Sequence, residues 1–145
     1  MKKIVAAIDF SDATPVVIDA AAAQAKAFGA ELHLVHVLEP EPAYTAYGFT
    51  PDEFPAMHAF HEEARKRATK RLEDVAADVE GAEAHLAEGG PMHALLDYVK
   101  AKGADLIVVG SHGHGMVASL LLGSVAEGMV RKAPVPTMIV PVGKS

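Results

Sequence analysis

The chain has 145 residues, of which 50% are hydrophobic and 22% charged, with a formal net charge of −6 when its histidines are neutral and with no cysteine. That length suits one domain over residues 1–145, burying ~70% of the unfolded surface, and no apolar run reaches the ~18 residues of a transmembrane helix. The lack of cysteine excludes a disulfide framework and a thiolate metal site or nucleophile, and an acidic chain without a broad basic stripe is a poor partner for nucleic acid.

Residues 3–9 read as a strand, because Ile4, Val5 and Ile8 make the near-continuous apolar run of a segment buried on both faces. Lys2 and Lys3 are followed by Asp9 and Asp12 before a signal-peptide core could accumulate, so a cytoplasmic location is expected. Thr14-Pro15 suits a helix start, the alanine-rich residues 15–28 continue it, and Gly29 stands where a left-handed C-cap is needed. Residues 31–38 form a second strand.

Between 39 and 56 the prolines at 40, 42, 51 and 55 argue against regular helix or central strand, while Tyr44, Tyr47, Phe49 and Phe54 make a poor solvated linker. The expectation is a mobile surface excursion, with an ordered lid or partner contact as the alternative. Residues 57–79 carry the longest helical pattern, with Ala64, Ala68, Leu72, Val75 and Val79 on one face and the basic run from Arg65 on a wet face. A third strand at 84–88, a Gly89-Gly90-Pro91 turn and a helix over 92–102 closed by Gly103 follow. The fourth strand, 105–109, is wholly apolar after Asp105. A helix from 124 to about 132 leads to a last strand at 135–140, and Pro134, Pro136 and Pro141 mark that strand as a sheet edge.

Strands alternating with helices at this spacing imply βαβ units and a parallel sheet. The fourth strand runs into Gly110-Ser111-His112-Gly113, and the next helix opens at Gly123-Ser124. A buried strand, a glycine-rich loop and a helix N-terminus gather unpaired N–H groups and a positive dipole end, a natural seat for phosphate. From Gly110 to Ser124 there is no Lys, Arg, Asp or Glu, so an anion there would be met by backbone N–H groups, by hydroxyls and by His112 or His114. Ser124 also opens Ser-x-x-Glu with Glu127, a capping-box pattern that reads equally as a plain helix start.

Other chemistry is poorly provided for. No serine lies in a nucleophile elbow and no acid/base pair stands out, so no catalytic residue is assigned. Of eight histidines, His58 and His61 lie at i, i+3 with only Glu62 and Glu63 beside them, and His33 and His36 differ in strand parity and point to opposite faces. No side-chain metal ligand is assigned; Mg²⁺ held mainly by ligand phosphates and water is the expected metal.

The pattern Gly-x2-Gly-x9-Gly-Ser at Gly110, Gly113, Gly123 and Ser124 resembles the nucleotide motif of the universal stress protein family. The resemblance extends over the chain, through the segment from Lys3 to Ser11, Leu34-Val35-His36-Val37, Gly89-Gly90-Pro91 and the closing Pro134 to Pro141. It implies an α/β fold with a five-stranded parallel sheet in the order 3-2-1-4-5, helices on both faces, ATP binding with Mg²⁺, and a homodimer formed through the C-terminal edge strand. By motif position Asp9 would face the adenosine part, Val37 would meet adenine through its main chain, and Gly110, Gly113, Gly123, Ser124 and Val125 would hold ribose and phosphates. With that strand order, Asp9 and Gly110 end the two strands that flank the reversal of direction, where open α/β sheets bind ligands. The implied activity is that of a nucleotide-responsive stress regulator; a scaffold responding to AMP or cyclic AMP and a slow ATPase are the alternatives, the last weakened by the absence of a cationic clamp in the loop.

Overall fold

The computed structural model describes residues 1–111 and 122–141. Five parallel strands pair in the order β3-β2-β1-β4-β5, with β1 at Lys3–Ala7, β2 at Glu31–Leu38, β3 at Ala82–Glu88, β4 at Leu106–Gly110 and β5 at Thr137–Val140. Between them run α1 (Thr14–Phe28), α2 (Phe54–Ala77), α3 (Pro91–Lys102) and α4 (Ser124–Lys132). The expected order, the doubly wound arrangement and the edge position of β5 are all present.

The helices form where local chemistry permits. Pro15 stands in the first turn of α1, where its missing N–H costs nothing, and Gly29 ends that helix in the left-handed region at φ 62°. Gly103 closes α3 in the same way, at φ 65°.

Even-numbered β1 and β2 residues, Ile4, Ala6, Leu32 and Leu34, pack against Val17 and Ala21 of α1 and Leu72 and Ala76 of α2. The odd-numbered Val5 and Val35 join Ile107 and Val109 against Leu95, Leu96 and Val99 of α3 and Ala126 and Met129 of α4. The two-faced burial explains why β1 and β4 read as continuous apolar runs. Helix α4 lies close to the start of α3: a Cβ built on Gly128 would stand within 2.0 Å of Met92 Sδ.

The segment after β2 departs from expectation. Two short 3-10 helices, Tyr44–Tyr47 and Pro51–Glu53, occupy it, and α2 begins at Phe54 rather than at 57. Proline was compatible with helix here because Pro51 and Pro55 both fall in first turns. Thr50 and Glu53 form a capping box, the Tyr44 ring packs against Phe49 and Phe54 at 6.2 and 5.7 Å, and its hydroxyl donates to Glu41 at 2.5 Å. Tyr44, Phe49 and Phe54 thus have each other as partners, whereas Tyr47 stands 71% exposed.

The bottom of the sheet is tied by Asp105, whose carboxylate accepts the N–H groups of Lys2 at 2.8 Å and Lys3 at 3.0 Å. These bonds hold its pKa below the ordinary 3.8. A carboxylate depressed in the folded state stabilises it above the unfolded value and loses that contribution as pH falls through the lower folded value. Asp105→Asn is therefore expected to lower stability at neutral pH and to flatten the loss of stability below pH 3.8, as read by urea titrations across the acid range. Ile107, fully buried, tests the core itself: Ile107→Ala is expected to cost about 2–5 kcal/mol in urea unfolding.

Candidate functional site

Above the carboxyl ends of β1 and β4, the chain turns away in opposite directions. After Ile8, whose N–H donates to the Val35 carbonyl at 2.8 Å, Asp9 stands at the rim and its Oδ1 accepts the Ser11 N–H at 2.9 Å. Ser11 Oγ accepts from Ala13 N–H at 3.2 Å, and this turn delivers the chain into α1. Asp9 therefore has the local turn-forming part that an aspartate before a helix suggests, and it lines the crevice as well.

The turn depends on a strained residue. Phe10 has φ 60°, an outlier for an aromatic side chain. What holds it there is packing: its ring lies 4.5 Å from that of His36 and the Arg71 guanidinium sits 4.4 Å above its face, while His36 Nδ1 is 2.6 Å from the Ile8 carbonyl. Strand β2 and helix α2 thus both fix the position of the Asp9 turn.

On the other side, Ser111 N–H donates to the Val140 carbonyl at 2.8 Å and Gly123 N–H donates to the Ser111 carbonyl at 2.7 Å. This pair of bonds brings the start of α4 back over the end of β4. The N-cap is Gly123, with ψ 162°, and no side chain among the described residues caps the helix. The capping box suggested by Ser124 and Glu127 does not form, because Ser124 is already the first helical residue; Glu127 instead meets Arg131 at 3.3 Å. The first N–H groups of α4 have no intrahelical acceptor and carry the positive end of the helix dipole.

Between these two turns lies a cavity of about 380 Å³, within the range of small-molecule sites. Of the residues singled out in the sequence, Asp9, Gly110, Gly123, Ser124 and Val125 line it together. Val37 does not; it is half-buried and lines an adjoining cleft of about 80 Å³, into which Val125 also faces. Gly113 falls outside the described residues. No lysine or arginine is among the described lining residues, whereas Asp9 and Glu39 both are. An anionic ligand would thus rely on backbone N–H groups and hydroxyls, and a hard cation such as Mg²⁺, bridging ligand oxygens, would find two carboxylates nearby.

One lining residue carried no signal in the sequence beyond a helix start. Thr14 is 8% exposed, lines the cavity, and its Oγ1 is buried without a hydrogen-bond partner among the described residues. A buried orphan hydroxyl is costly unless something bonds it.

His112 and His114 fall outside the described residues, and among the described residues histidine chemistry lies elsewhere. His58 meets Glu41 at 2.9 Å and His61 meets Glu88 at 2.8 Å, so the i, i+3 pair diverges to separate carboxylates. His61 and Arg65 hold the Glu88 carboxyl below its ordinary range. His33 and His36 occupy opposite sheet faces, as their parity requires. His33 is grouped instead with Glu83 and His85 of β3, a set that only the cross-strand register reveals; burial pushes the His33 pKa down, against the opposing pull of Glu83.

Comparison with known proteins gives a consistent result. Residues 1–141 match the model of the Universal stress protein family. The chain is 38% identical over 145 residues to a universal stress protein of Thermus aquaticus, covering 96% of this chain and 98% of that one, and 34% identical to universal stress protein YxiE of Bacillus subtilis, covering 95% and 97%. Among solved structures it is similar to a universal stress protein in complex with cAMP, at 27% identity and TM-score 0.61 over 96% of this chain and 95% of that one. A universal stress protein from Archaeoglobus fulgidus in complex with dAMP matches at 26% identity and TM-score 0.62 over 97% and 98%.

Phe10 yields a direct test of backbone strain. Phe10→Gly and Phe10→Ala both lose the ring, but only glycine is at ease at φ 60°; the glycine variant is expected to be the more stable by about 1 kcal/mol in urea unfolding.

Proposed function

The chain belongs to the universal stress protein family, and on that premise we propose that it is a regulator whose partner interactions respond to an adenine nucleotide, ATP with Mg²⁺, held between the β1 and β4 turns. The observation that carries this reading is the convergence of Asp9, Gly110, Gly123, Ser124 and Val125 on one cavity at the reversal of strand order, under a helix N-terminus that no described side chain caps. In this proposal the first N–H groups of α4 and the Ser124 hydroxyl meet the phosphates, the Thr14 hydroxyl supplies a further donor, and Asp9 accepts from the adenosine part. Val37 offers its main chain to adenine beside the smaller cleft, and Gly113 completes the phosphate loop. Mg²⁺ would sit on the phosphates, its charge offset by the carboxylates at the rim.

Binding, rather than turnover, is what these groups serve. No cation among the described lining residues is placed to stabilise a transferring phosphoryl group. A monophosphate reading, AMP or cyclic AMP, has specific support in the cAMP and dAMP complexes of related chains. We also propose a cytoplasmic homodimer joined along the outer edge of β5, the last strand of the sheet. Among the described residues no helix is long and apolar enough to cross a membrane.

Calorimetry on nucleotide-stripped protein with ATP, ADP, AMP and cyclic AMP, each with and without Mg²⁺, tests the site. Saturable binding of Mg-ATP, lost in Gly113→Val, is expected; tighter binding of a monophosphate would favour the second reading, and no heat with any adenine nucleotide would sink both. Thr14→Val separates ligand binding from folding: it removes an orphan hydroxyl, so unfolding stability is expected to hold or rise while nucleotide affinity falls about five- to tenfold.

A further inference from the structure

Strands β2 and β3 pair with His33 opposite Glu83 and Val35 opposite His85. Side chains alternate along a strand, so Glu31, His33, Glu83 and His85 all project from the α3 face. His33, Glu83 and His85 each offer a ligand atom, all within 4.8 Å of one another. The cluster lies toward the amino-terminal half of β2, away from the nucleotide crevice at the strands' carboxyl ends.

Its centre is a histidine with one nitrogen left over. The His33 side chain is only 5% exposed, and its Nε2 is buried with no hydrogen-bond partner among the described residues. Nε2 stands 3.6 Å from one oxygen of Glu83 and 3.8 Å from Glu31, too far for hydrogen bonds. His85 Nε2 is 3.1 Å from the other oxygen of Glu83. These separations resemble the edges of a coordination polyhedron: nitrogen and oxygen atoms bound to a tetrahedral zinc ion lie about 3.4 Å apart.

We infer that His33 and His85, with Glu83 and Glu31, bind a divalent transition-metal ion, zinc in the first instance. Two imidazoles select against Mg²⁺ and Ca²⁺, and two carboxylates with two neutral histidines balance the charge of the ion. Tyr98 of α3 supplies the outer contact. Its hydroxyl is 2.6 Å from His33 Nδ1, so that Nδ1–H donating to it leaves the Nε2 lone pair directed at the cluster, the arrangement that orients most metal-bound histidines. His33 is the fixed ligand. His85, Glu83 and Glu31 are 30%, 50% and 58% exposed, free to rotate inward; His85 must swing from its stack on His33, where the ring centroids are 4.7 Å apart.

Titration of the chelator-treated full chain with Zn²⁺, without nucleotide, followed by calorimetry and repeated with Co²⁺ in the visible range, tests the site independently of the nucleotide reading. One Zn²⁺ per chain at micromolar affinity or tighter, and an intense tetrahedral Co²⁺ spectrum, are expected. His85→Ala at a half-buried position and Glu83→Gln at an exposed one, both outside the apolar core, should each weaken binding by more than about tenfold, and Tyr98→Phe by about 10–100-fold. His58→Ala and His61→Ala should leave it unchanged. The inference is overturned by millimolar binding only, by a Co²⁺ spectrum of octahedral type, or by affinity that ignores His85 and Glu83 while falling with His58 or His61, which would mean adventitious binding to surface histidines.

Discussion

The parallel pairing of β1 with β4 is the contact on which the rest of the molecule depends. Ile4, Val5 and Ala6 align with Leu106, Ile107 and Val108, and from this seam the sheet grows outward in both directions. Since crossovers are right-handed, growth to one side places α1 and α2 on one face and growth to the other places α3 and α4 on the opposite face. The loops above the seam must therefore part, and the crevice is the space they leave. It is a product of topology before any side chain is chosen.

The chemistry of that crevice is then set by what the chain puts at its rim. One wall offers the amide end of α4, positioned by the Ser111 and Gly123 hydrogen bonds; the other offers Asp9, held by a turn whose strained Phe10 is clamped between His36 and Arg71. Positive potential comes from oriented peptide dipoles and negative potential from Asp9 and Glu39. Such a cavity presents opposite potentials on its two walls with no lysine or arginine among its described lining residues. Strain at the Asp9 turn is compatible with a binding role, because pre-organisation is where natural chains tolerate such outliers.

Much of the fold was legible in the sequence because it rests on local rules. The second strand is expected over 31–38 and observed at Glu31–Leu38, and Gly29 and Gly103 mark the ends of α1 and α3. Where local rules compete, legibility failed. Ser124 carries a capping signature but is displaced by one position because Gly123 takes the N-cap. Prolines between 39 and 56 argued against helix, yet Pro51 and Pro55 occupy first turns, where proline is welcome. Within the candidate site, Asp9, Gly110 and Gly123 could be found along the chain, whereas the orphan hydroxyl of Thr14 needed burial to reveal it. The His33, Glu83 and His85 cluster needed register: residues fifty apart in sequence become neighbours only once two strands are aligned.

The near contact of Gly128 with Met92 bears on how mutational surveys of this chain should be interpreted. An alanine at 128 needs only the flexible thioether of the half-buried Met92 to swing aside, whereas a bulky side chain there also pushes α4 away from α3, and α4 carries its amide end with it. Damage to the crevice from bulky residues at 128, which does not line the described cavity, would report a displaced helix rather than a missing contact, and a smaller residue at 92 would be the natural suppressor.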